Sequence, residues 1–173
     1  MNRYVDPAAV LGPDLAKRVE PLRNGRRYVR PGSWTTAFAW LVDFAVYVVV
    51  LFVGIGLLAA RDSQSPLGSD VVGLGVIALV LVVPLLYGMF YGNGRALGGL
   101  LTGTRLVRLK DGGRLGASAP WAMLVRVLLM PFLLVAILVG SFSGGTGSPP
   151  GSLRRSSIDI EASNRLWAAE SAP

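Results

Sequence analysis

The sequence predicts an all-α membrane protein. About three transmembrane helices, at 34–60, 71–91 and 119–140, would flank a basic cytoplasmic loop with room for a short β-hairpin, between disordered tails. Three observations carry this expectation. The stretch from Trp34 to Ala60 runs for 27 residues with Asp43 as its only formal charge. Hydrophobic residues make up 52% of the chain and mean hydropathy is +0.53, and the apolar excess sits in three blocks instead of being spread with the period of a soluble core. The basic residues flank those blocks, as topology signals do.

Composition also removes function classes. There is no Cys and no His, so thiol chemistry, the commonest metal ligand and the usual neutral-pH proton shuttle are missing, and neither a metal nor a cofactor is expected. The formal charge is +7, but the basic residues do not gather on one soluble face, so nucleic acid is not the expected partner.

Residues 1–32 form a basic arm broken by Pro7, Pro13, Pro21 and Pro31. Asp14 to Glu20 offers a turn or two of helix, stopped by Pro21; otherwise residues 1–20 read as a disordered cytoplasmic tail. Arg23, Arg26, Arg27 and Arg30 lie just before the first apolar block, where a nearby basic side chain gains about 1 kcal/mol against anionic lipid headgroups. No convincing small-residue cleavage site precedes Trp34, so this block is expected to stay as an anchor.

The first block is long enough to span. About 20 apolar residues at 1.5 Å each cross a hydrocarbon core of roughly 30 Å. Asp43 then lies about nine residues in, roughly 13 Å deep, where an ionised carboxylate costs about 2.5–3.5 kcal/mol to insert. It must be protonated, paired, or turned to protein or water.

Arg61 to Asp70 is a short loop, so the helices it joins are antiparallel neighbours. The second block, Val71 to Tyr91, carries no charge. Pro84 should kink it and leave backbone groups for neighbours to satisfy, Tyr87 and Tyr91 read as interfacial anchors, and Gly88 and Gly92 make a GxxxG spacing for close helix approach.

Residues 92–118 hold Arg95, Arg105, Arg108, Lys110 and Arg114 against Asp111 alone. The positive-inside rule puts this loop and the N-terminus in the cytoplasm. Gly94 to Gly103 reads as a glycine-rich interfacial element, and the alternation from Thr104 to Lys110 reads as a strand entering a turn at Asp111, Gly112 and Gly113. The glycines lack the spacing of a nucleotide-binding fingerprint.

Ala119 to Gly140 is the third block, with Arg126 and Pro131 inside it. Arg126 sits about seven residues, roughly 10 Å, from its cytoplasmic end. It can snorkel outward, or pair with Asp43, whose depth differs by only about two residues. Residues 141–173 read as a flexible polar tail.

Asp43 in the first helix, then Gly94, Arg95, Ala96, Leu97, Gly98, followed by Gly103, Thr104, Arg105, Leu106, Val107, Arg108 and by Asp111, Gly112 and Gly113, resemble the RDD family of small integral membrane proteins. In that family a "GRTLGK…G.RVV…DG" loop leads into an Arg-containing third helix, the place of Arg126 here. The likeness covers about residues 33–140, the expected membrane domain. The family's Arg, one or two turns before the first Asp, is replaced by Thr35, Thr36 and Ala37. The resemblance implies a membrane protein linked to transport or to cation/proton exchange.

Two functions are therefore expected. The first is a non-catalytic accessory or assembly subunit of a larger membrane complex, multi-pass in the cell membrane, with a membrane-protein partner or a second copy beside it. The alternative is a small oligomeric transporter or cation/proton exchanger that uses Asp43. An enzyme is not expected, because the membrane blocks hold one acid and one base and no set of nucleophile, base and orienting group.

Overall fold

Pro7 and Pro13 each open a short helix, because a residue with φ already near −65° and no amide hydrogen fits a first turn. These are α1 (Pro7–Leu11), capped by Asp6, which accepts from the Ala8 amide at 3.0 Å, and α2 (Pro13–Ala16). The computed structural model describes residues 5–129, 131–132 and 155–172. After α2 come β1 (Val19–Pro21) and β2 (Arg27–Val29), then α3 (Ser33–Gln64), α4 (Ser69–Met89), a 3-10 turn over Phe90–Asn93, α5 (Leu97–Thr102) and β3 (Thr104–Arg108). A second 3-10 turn leads to α6 (Ala119–Leu124), which runs into a π-turn over Val125–Leu129; β4 (Arg155–Asp159) and α7 (Ile160–Ser171) complete the order.

The chain divides into two units, one of residues 1–39, 93–115 and 150–173, the other of 40–92 and 116–149. The first unit is built on two antiparallel strand pairs. β1 and β2 form a hairpin closed by Arg23 to Arg26, with the Leu22 amide donating to the Arg26 carbonyl at 2.7 Å. β3 pairs with β4 in a register that sets Thr104 against Asp159 and Arg108 against Arg155. Alternation then sends Val107 and Ile158 inward to join Leu22 and Tyr28, while Ala162 and Leu166 of α7 close over Leu11 and Val29. Asp159 ends β4 and caps α7 through the Ala162 amide at 3.0 Å.

Disordered tails are thus not what residues 5–32 and 155–172 form. Their apolar residues are few and widely spaced, so neither tail could bury a core alone. Together they can. The hairpin also lies elsewhere than expected: β3 does enter a turn, with the Gly112 amide on the Arg108 carbonyl at 2.8 Å, but its strand partner is β4, because the chain after Gly113 turns at once into the 3-10 turn at Gly116–Ser118.

Among the described residues α3, whose first turns belong to the first unit, and α4 are the two helices long and apolar enough to cross a membrane. Only 11% and 17% of their most apolar windows are buried, which separates them from core helices of a soluble domain. Val49, Phe52, Val53, Leu57, Leu74 and Ile77 all face outward, as lipid-facing side chains do. The helices interlock through glycine: Gly54 lies against Leu79 and Gly75 against Leu58. The expected third helix is described only in part, as α6 and its π-turn plus residues 131–132; residue 130 and residues 133–140 lie outside the described residues.

Candidate functional site

Trp40, Asp43 and Tyr47 recur at a spacing that puts them on one face of α3. Each meets a polar group of another helix. Asp43, only 1% exposed, has its Oδ2 3.2 Å from Arg126 Nη2, and its Oδ1 accepts from the Tyr87 hydroxyl at 3.1 Å. Tyr87 is therefore not an interfacial anchor, and Tyr91 is buried at 3% exposure. Both rings lie near the end of an apolar run, which is why pattern alone read them as facing the headgroups.

One of the two aromatic donors beside Asp43 serves a carbonyl that proline leaves without an amide. Position 84 would supply the helical hydrogen bond to Val80, but Pro84 has no N–H, and the Tyr47 hydroxyl lies 3.5 Å from that carbonyl. The Trp40 indole donates to the Arg126 carbonyl at 3.1 Å. Trp40 stacks on Phe44 with centroids 5.1 Å apart, which holds the indole in place.

Gly88 meets the start of α6 so closely that a Cβ would overlap Pro120 Cα; around Gly92 nothing lies within 4 Å, so only one member of the GxxxG pair is used for close approach.

The glycine-rich loop belongs to the first unit. Gly98 lies against the Ala39 carbonyl so closely that any side chain would strike it. Gly94, at φ 75°, accepts from the Leu106 amide at 2.8 Å, and Gly103, at φ 65°, ends α5 in the left-handed region that favours glycine. Asp111 is a turn former: its Oδ1 accepts from the Gly113 amide at 2.9 Å, and its Oδ2 lies 3.5 Å from Arg108. Gly112, at φ 69°, completes that turn.

Arg95 and Arg105 come together with Asn93 and Arg114 around a cleft of about 240 Å³. Burial first, then the neighbouring Arg114 and Arg95, push the Arg105 guanidinium below its usual value. Of the four arginines expected to face the headgroups, Arg23, Arg26, Arg27 and Arg30, Arg27 is 2.6 Å from Glu170, Arg30 is 3.1 Å from Glu20 and Arg26 lies over the Trp167 ring at 4.8 Å. Sequence reasoning counted the loop arginines as topology signals and did not gather them. The available clue was their excess over Asp111.

Two apolar helices of spanning length, with a buried acid and base among their polar contacts, define a small membrane protein. The chain belongs to the RDD family, whose model matches residues 30–151. No curated protein and no solved structure matches it.

Proposed function

We propose that this protein is a multi-pass accessory or assembly subunit of a larger complex in the cell membrane, with its N-terminus and residues 92–118 in the cytoplasm. The observation that carries this reading is the enclosure of Asp43: the Tyr87 hydroxyl donates to Oδ1 at 3.1 Å, and the Arg126 guanidinium stands 3.2 Å from Oδ2 as an ion-pair contact without hydrogen-bond geometry. An acid held in that way locks helices together. A transport cycle would first have to open the pair, against the cost of exposing a buried charge. The outward apolar faces of α3 and α4 offer a surface for lipid or for a partner helix.

The alternative, a small cation or proton exchanger, rests on the same carboxylate, since intramembrane acids commonly mark ion pathways. Flux measurements separate the two. Purified protein in liposomes should show no proton-coupled cation flux, and Asp43→Asn should lower the abundance of the assembled complex in cells. Flux that Asp43→Asn abolishes in a folded protein would replace the subunit by the exchanger. For orientation, single cysteines at Ser65 and Arg108 should label from opposite sides with an impermeant reagent.

A further inference from the structure

We propose that the cleft formed by Asn93, Arg95, Arg105 and Arg114 binds a phosphate-bearing anion, either a lipid phosphate or a free phosphoanion. Its lining holds three guanidinium groups and no carboxylate. Among the described residues Lys17, Arg27, Arg30, Arg108, Arg126 and Arg165 each have an acidic partner within 4 Å, and these three arginines have none. The nearest acid in a bordering cleft is Glu161, itself exposed and 3.8 Å from Arg165.

The fold spends specific contacts to bring the arginines together. Gly94 turns the chain against the Leu106 carbonyl, where a side chain would not fit, and so sets Arg95 beside the strand that carries Arg105. Arg105 Nε donates to the Asn93 carbonyl at 2.7 Å. This fixes the guanidinium and leaves its terminal nitrogens available to an anion. Burial first, and next the like charge of Arg114 and Arg95, lower the proton affinity of Arg105, and a bound anion would relieve the second of these.

Size and donor geometry narrow the ligand. At about 240 Å³ the cleft is below the roughly 300–1,000 Å³ of sites for drug-sized molecules, so it suits a small anion or a headgroup better than a nucleotide. Planar guanidinium forks match the paired oxygens of phosphate, and several converging forks favour a multiply charged group over a carboxylate.

The test uses the full chain in neutral detergent at constant ionic strength, with inorganic phosphate and short-chain phosphatidic acid as separate probes read by thermal shift. A saturable rise with phosphate assigns a free phosphoanion; a rise with phosphatidic acid alone assigns a headgroup. In either case Arg95→Gln and Arg114→Gln should each weaken apparent binding about ten-fold, and Arg26→Gln should leave it unchanged. Both cleft residues are exposed and carry no ion pair, so these variants stay informative if Arg105→Gln, which loses the Asn93 contact, fails to fold. Three outcomes overturn the proposal: no saturable shift with either probe, wild-type binding in the Arg95 and Arg114 variants, or an equal loss in Arg26→Gln.

Discussion

Tyr87 donates its hydroxyl to Asp43 Oδ1 at 3.1 Å, on the oxygen that Arg126 does not approach most closely. The acid of α3 is thus shared between α4 and the segment that follows α6. Removing either ionic partner leaves the other charge buried, a loss of about 3–5 kcal/mol. Asp43→Ala and Arg126→Ala should each lower the melting temperature in detergent, and the double variant should lose less than the sum. Additive losses would mean that the two do not interact. Tyr87→Phe removes a hydrogen bond to a charged group, about 1.5–3 kcal/mol, and should cost less than Asp43→Ala.

Tyr47 and Pro84 supply a second cycle. Tyr47→Phe withdraws the donor near the Val80 carbonyl, at a cost of about 1 kcal/mol. Pro84→Ala restores an amide at the position that would serve that carbonyl. The Tyr47→Phe loss should therefore shrink in the Pro84→Ala background, as measured by thermal unfolding of the four proteins.

Glycine variants should divide by what a Cβ would meet. Gly88→Ala strikes the Pro120 backbone and Gly98→Ala the Ala39 carbonyl, so both should lose at least the roughly 1–3 kcal/mol typical of overpacking. Gly92→Ala and Gly56→Ala add a methyl where nothing lies within 4 Å. Their melting temperatures should stay close to wild type, and equal losses in all four would contradict the packing described above.

Alkaline pH should weaken the first unit through Tyr28. Burial, and next the Glu20 carboxylate that accepts from its hydroxyl at 2.6 Å, push this phenol up to about 12. An unfolded tyrosine titrates near 10, so the folded state holds the proton more tightly. Its contribution is complete below about pH 10 and is lost as pH rises through about 12. Comparing Tyr28→Phe with wild type by unfolding over that range should show a steeper decline in wild type.

The two helices of spanning length were legible because a long uncharged run has few other physical uses, and Asp43 announced itself as the sole charge between Trp34 and Ala60. Strand β3 was legible from its alternation. Its partner was not, since Arg155 to Asp159 has one apolar residue, Ile158, and owes its strand form to β3 beside it and to the cluster Ile158 shares with Val107 and with Tyr28 of β2. The N-terminal hairpin hid for the same reason: Val29 is fully buried only because α7 covers it. At the acid, the depth estimate put Arg126 within reach, but no spacing rule in one chain pairs Tyr87 with Asp43 across 44 positions.

The β3–β4 ladder also ties two distant parts of the chain to one face. Backbone hydrogen bonds between residues 104–108 and 155–159 cannot be made through a bilayer, so both strands occupy one side of the membrane. A cysteine at Ser157 should therefore label from the same face as one at Arg108.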